Sequence, residues 1–269
     1  MMKRLFLILL LAASAMSLDA RKLTILHMND THSHIEPERT GSRKGHGGVI
    51  EQAAVIDSVR AAEGKRNVLL LHGGDFSQGT SYFSELHGDL EISVLNAMGF
   101  DCVCLGNHEF DNGTQELCRR LSSLKVPVVC SNYNFKSNEL GNKVKPYIVV
   151  RKAGLKIGFV GVLTDLTYVV DRSVADTFTY LDPAESASRN ASILRNEHKC
   201  DLVICLSHCG WEEDVANAPR MHDVDVIVGG HSHTFIDEPA VIKGADGRDI
   251  IIVQDGKYGL ELGQLEIEL

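Results

Sequence analysis

The sequence predicts an α/β protein built in layers around mixed β-sheets. Three observations carry that reading. Short apolar runs alternate with segments of helical period along most of the chain, hairpin and turn signals gather toward the end, and no internal repeat or linker divides it. Its 269 residues, 44% of them hydrophobic, suit one globular domain with a sizeable core, or two small ones.

The first twenty residues, "MMKRLFLILLLAASAMSLDA", stand apart. Lys3 and Arg4 form a basic start, Leu5 to Ala13 an apolar stretch, and Ala13-Ser14-Ala15 a small-residue cleavage pattern. That is the form of a secretory signal peptide over residues 1–20, and its apolar run is too short to span a bilayer. No cysteine lies nearby to accept a lipid and no later segment is apolar enough to cross a membrane. The expectation is an exported chain from residue 21, secreted or periplasmic, with no membrane attachment after cleavage.

The elements then follow in order. "KLTILHMND" is a strand ending in polar residues. After the Gly-rich loop "RTGSRKGHGG", Val49, Ala53, Ile56 and Val59 recur near helical spacing. "NVLLLHGGD" is a buried strand with a glycine turn, "ELHGDLEISVLNAMG" one helix stopped by Gly99, and "DCVCLGN" the next strand. The helix "TQELCRRLSSLK" and the strand "VPVVCSNYN" come next, then a polar loop over residues 134–146. "YIVVRKAGLKIGFVGVLT" reads as two strands joined at Ala153-Gly154. A helix near residues 183–198 precedes the strand "CDLVICLSHCG", and the helix "WEEDVANAPRMH" precedes "VDVIVGGHSHT". The tail is all strand and turn.

Net charge is −9 with no Lys/Arg-rich patch, which does not suit a nucleic-acid polymer as partner. A small anionic substrate is compatible with that charge where a metal supplies the positive field. The seven cysteines include no C-x-x-C pair and sit mostly in apolar strand contexts, so they read as buried thiols. Cys102 and Cys104 are expected on opposite faces of their strand, and Cys209, beside His208, as a stray metal ligand.

Five strands end in groups that bind metal or move protons. They give Asp30-Thr31-His32, Gly73-Gly74-Asp75, Gly106-Asn107-His108-Glu109 with Asp111, then His208, then Gly230-His231-Ser232-His233. In an α/β sheet the loops at the carboxyl ends of parallel strands converge on one edge. Two carboxylates, one amide and four imidazoles form a mixed oxygen and nitrogen set that suits Zn, Mn, Fe or Co better than Ca. They exceed the needs of one ion and suit two sharing a bridging carboxylate, an arrangement that clamps a phosphoryl group. Against this, Asn107-His108 alone reads as a surface turn, Asp111 alone as a helix N-cap, and Glu109 as structural rather than catalytic. His34 is a candidate to line the site, and Trp211 reads as a core or surface aromatic sooner than a roof over it.

With "LHMNDTHSHIEP", "GGDFSQGT", "LGNHEFDNG" and "VGGHSHT" in place, the chain resembles the calcineurin-like metallophosphoesterases, and among them the N-terminal catalytic domain of the 5′-nucleotidase family. The resemblance implies a four-layer αββα sandwich over residues 21–269 and two divalent metal ions. Position by position, it implies that Asp30, His32, Asp75 and His233 hold one ion. Asp75, Asn107, His208 and His231 would hold the other, with Asp75 bridging. His108 matches the catalytic histidine and Asp111 the carboxylate that orients it, and Asn107 and His108 would also meet the substrate. A small phosphoester, first of all a nucleoside 5′-monophosphate, is the implied substrate. Cyclic nucleotides, nucleotide sugars or a thiosulfate ester are the alternatives. Family members usually carry a second domain that recognises the base; the sequence is read as stopping where the catalytic domain ends. A separate chain that docks, or a broader set of phosphoesters, would follow. A non-catalytic, metal-loaded binding subunit is the alternative of another class.

Overall fold

The computed structural model describes residues 22–135 and 139–268, so the signal-peptide expectation lies outside the described residues. In chain order the strands are β1 (Lys22–Met28), β2 (Val68–His72), β3 (Cys102–Cys104), β4 (Val128–Val129), β5 (Val144–Lys145) and β6 (Tyr147–Lys152). They continue with β7 (Leu155–Leu163), β8 (Leu202–His208), β9 (Val226–Val228), β10 (Ala240–Lys243), β11 (Asp249–Val253) and β12 (Gly263–Glu268). The helices are α1 (Val49–Glu63), α2 (Ser81–Leu86), α3 (Asp89–Met98), α4 (Gly113–Ser123), α5 (Leu140–Lys143), α6 (Arg172–Ala175), α7 (Pro183–Asn196) and α8 (Trp211–Asn217).

Two sheets of six strands form, in the orders β12-β1-β2-β3-β4-β5 and β10-β11-β9-β8-β7-β6. Strands β1 to β5 run parallel, and so do β11, β9, β8 and β7; the antiparallel strands β12, β10 and β6 lie at edges. Both sheets are mixed, as expected.

The two-residue period of a strand sorts side chains between two cores. Leu23 and Ile25 of β1 join Leu69, Leu71, Ile157, Phe159, Ile204 and Leu206 between the sheets. Leu26 and Met28 face the other way, against Ile56 of α1, Leu95 of α3 and Leu117 of α4. On the far side of the second sheet, Ala184, Ala187, Ala191 and Leu194 of α7 pack on Val203, Cys205 and Ile227. Helix, sheet, sheet, helix is the four-layer sandwich. Strands covered on both faces read as nearly continuous apolar runs, which is why β2 and β8 show little alternation.

Several expectations are corrected. The segment read as one helix over residues 85–99 is two, because His87 (φ 51°) and Gly88 (φ 89°) turn left-handed between α2 and α3. A Cβ on Gly88 would stand 2.6 Å from Cδ of Arg120, so the break is a tertiary demand. The loop over residues 134–146 contains α5 and β5. Cys102 and Cys104 share a face and enter the same inter-sheet core, as residues two apart on a strand must. All seven cysteines are unpaired and buried. The hairpin at Ala153-Gly154 forms as read, both residues at positive φ. Among the described residues no helix is long and apolar enough to cross a membrane.

Candidate active site

Parallel pairing aligns the strand ends. Met28 lies opposite His72, His72 opposite Val103, and Leu206 opposite Val228, so the loops after β1, β2, β3 and β9, with the last residue of β8, share one edge. The two sheets touch there. A Cβ on Gly106 would lie 2.1 Å from Asp75 Oδ1, and one on Gly74 2.7 Å from His208 Nδ1, so only glycine lets these loops approach. Asp30, His32, Asp75, His231 and His233 all have φ between 45° and 75°, a left-handed conformation uncommon outside glycine. Strain of that kind persists where surrounding contacts enforce it.

The predicted residues meet. Three overlapping groups bring ligand atoms within 4.8 Å of one another: Asp30, His32 and His233; His32, Asp75 and His108; Asp75, His208 and His231. His208 Nε2 is 3.1 Å from Asp75 Oδ2, His233 Nε2 is 3.3 Å from Asp30 Oδ1, and the Nε2 atoms of His32 and His233 are 3.0 Å apart. The supporting bonds aim these groups inward. His208 Nδ1 donates to the Gly73 carbonyl (2.7 Å), which turns Nε2 to the cluster. Asp30 Oδ2 accepts from the backbone N–H of His231 and from Asn29 Nδ2, and Asp75 Oδ1 from the backbone N–H of His108, leaving Oδ1 and Oδ2 respectively for the centre.

The electrostatics follow from burial and crowding. His208 is pushed up to about 10: burial works against its charge, but Asp75 and Asp30 outweigh it. Asp75, whose burial alone would raise it, is held well below the usual carboxylate range by His208 and His32. Burial drops His32 to about 4 and lowers His231 as well. His108 behaves differently. It is partly exposed, its Nδ1 sits 2.7 Å from Asp111 Oδ2, and that hydrogen bond raises it above its ordinary value against the effect of burial. The N-cap of α4 is Asn112, so Asp111 serves the imidazole and not the helix.

Other residues emerge that sequence reasoning missed or underweighted. The carboxylate of Glu109 accepts three backbone N–H groups, from Gly106 (2.7 Å), Asp75 (2.9 Å) and Ser77 (3.0 Å), and so clamps the β2 loop to the β3 loop. Arg120, fully buried on α4, bonds the Glu109 carbonyl and the Ser77 hydroxyl. The only signal for it was an arginine on the apolar face of "CRRL". Asp214 of α8 takes the Ser207 hydroxyl beneath His208, and Asn29 braces Asp30. His34 stacks on Tyr258, ring centroids 3.7 Å apart, at the rim near His32. Cys209 is no ligand: it and Trp211 pack in the helical layer behind the second sheet.

Residues 23–235 match the calcineurin-like phosphoesterase family. The chain belongs to that family. Among proteins similar to this chain, the 5′-nucleotidase of Homo sapiens is 32% identical over 277 residues, covering 93% of this chain and 47% of that one. The crystal structure of a 5′-nucleotidase precursor from Thermus thermophilus superposes with TM-score 0.84 at 33% identity, over 91% of this chain and 51% of that one. NAD nucleotidase of Haemophilus influenzae gives TM-score 0.82 at 31% identity, over 93% and 48%. The chain thus spans about half the length of the relatives it matches.

Proposed function

We propose that this chain is an exported, dinuclear-metal phosphohydrolase that cleaves nucleoside 5′-monophosphates to nucleoside and phosphate. One observation carries the reading. Asp30 Oδ1 and Asn107 Oδ1 are buried and, among the described residues, without a hydrogen-bond partner, and His208 Nε2 is aimed at Asp75 Oδ2 beside them. Buried acceptors left open on a crowded face fit cations, since unpaired buried polar atoms are otherwise unfavourable. The donor set, carboxylate, amide and imidazole, fits divalent transition ions such as Zn, Mn, Fe or Co. Asp30, His32, Asp75 and His233 would hold one ion and Asp75, Asn107, His208 and His231 the second, with Asp75 bridging. Bound there, the pair would supply positive charge to the phosphoryl oxygens and acidify the attacking water.

The chain's own residues do the rest. His108, beside His32 (ring centroids 5.3 Å apart) but open to solvent on one side, donates a proton to the leaving oxygen. Asp111 holds the Nδ1–H and so presents Nε2 to the substrate. Asn107 and His108 together meet the phosphoester, and Glu109 fixes the loop that carries them. A binding subunit without catalysis has no use for the His108–Asp111 pair. Export rests on the basic, apolar and small-residue pattern of residues 1–20.

The test is phosphate release from AMP by the metal-loaded wild type and His108→Ala; equal rates in the two would remove the catalytic assignment. A panel with 2′,3′-cyclic nucleotides and nucleotide sugars then fixes the leaving group, which these residues do not select.

A further inference from the structure

Glu91 lies on α3, away from the ligand cluster, and is 4% exposed. Neither carboxylate oxygen has a hydrogen-bond partner among the described residues. Ser33, 2% exposed on the β1 loop, has a hydroxyl in the same condition. Both line one small cavity of about 30 Å³, room for a single ion or water, together with Thr31, His34, Gln52 and His72 and apolar side chains of β1, α1 and α3.

The neighbouring polar groups are committed elsewhere. His72 receives the backbone N–H of Gly74 on Nδ1 and bonds Thr31 Oγ1 through Nε2. Gln52 Nε2 donates to the Gly259 carbonyl, and the Arg120 guanidinium turns to Ser77 and Glu109. Arg120 attracts Glu91 without a hydrogen bond and attracts Glu109 more strongly, so two buried carboxylates share one guanidinium, and the negative charge left over requires a proton or a cation.

We infer that this cavity is a monovalent-cation site, for an alkali or ammonium ion, with Glu91 as its charged ligand and the hydroxyls of Ser33 and Thr31 as neutral oxygen donors. Charge balance selects the class: with Arg120 set against Glu109 and Glu91, one negative charge remains for one positive ion, and a divalent ion would leave buried charge uncompensated. Carboxylate and hydroxyl oxygens are hard donors that suit such ions. Thr31 and Ser33 flank His32, so an ion here ties down the loop that bears Asp30 and His32. The effect on turnover rests on the proposed phosphohydrolase reading; binding itself does not.

The experiment therefore reads binding. Thermal midpoints of chelator-treated wild type and Glu91→Gln are compared in KCl, NaCl, NH4Cl and choline chloride at one ionic strength. The wild type is expected to gain about 2–4 °C in at least one of the first three over choline, and Glu91→Gln none. The pattern of gains separates alkali ions from ammonium. Wild-type crystals grown with Tl+ provide a second reading that needs no variant, an anomalous peak beside Glu91 being expected. Equal midpoint gains in both proteins, or no gain and no peak in the wild type, would overturn the site.

Discussion

The core between the sheets and the edge above it are made by the same strands under opposite rules. In the core, Leu23, Leu69, Phe159 and Ile204 are fully buried and offer nothing polar. At the carboxyl ends of strands in the same two sheets, Asp30, Asp75, Asn107 and His208 are equally buried but polar; Asp30 and Asn107 carry atoms without a partner among the described residues, and Asp30 and Asp75 have left-handed backbones. The core lowers the free energy of the fold, while the edge raises it and is tolerated because the core over-determines where the loops go. The chemistry is thus concentrated in the least self-satisfied part of the molecule.

Four substitutions break or sharpen that contrast. Asp75→Asn removes the carboxylate shared by two of the three ligand groups. Activity should fall on the order of 10⁴-fold, as expected when several kcal/mol of transition-state stabilisation is lost, and bound metal measured by emission spectroscopy should drop below the wild-type ratio. His108→Ala should cost roughly 10²–10⁴-fold in kcat with metal content unchanged, which separates proton transfer from metal binding. Ile204→Ala, in the core, should lower unfolding free energy by about 2–5 kcal/mol in urea titrations yet leave turnover per folded molecule near wild type.

Asp214 gives the smallest effect and a pH signature. Burial pushes its carboxyl up to about 7. A carboxyl raised above its unfolded value of about 3.9 binds more protons when folded, so stability is lost as pH rises from about 4 to about 7. Asp214→Asn keeps the acceptor for Ser207 and should be more stable than wild type at pH 8 by on the order of 2 kcal/mol. The gain should vanish near pH 4 when melting curves are compared across that range. A flat difference would mean that the carboxyl is not the source.

Much of this was legible in the chain. An apolar run that stops at Gly-Asp, Gly-Asn-His or Gly-His-x-His announces both a strand end and a ligand, and five such stops pointed to one edge. Glu109, Arg120, Asp214 and Glu91 were not legible in the same way. Each is a charged residue on or beside a helix, and the partners that explain its burial lie on other elements or loops, or are no protein group. The break at His87-Gly88 escaped for the same reason, since the side chain that forbids a Cβ there belongs to a residue 32 positions on. Cys102 and Cys104 were misplaced by miscounting a two-residue period, an error that the strand geometry itself corrects.

The ligand groups reach from Asp30 to His233, and β9 must join the second sheet before His231 and His233 can face Asp75 and Asp30. A nascent chain paused on the ribosome just after β3 would display two carboxylates and one imidazole of the set but no complete coordination shell. The full set of ligand groups is therefore completed late in the birth of this molecule, by the emergence of its last two histidines.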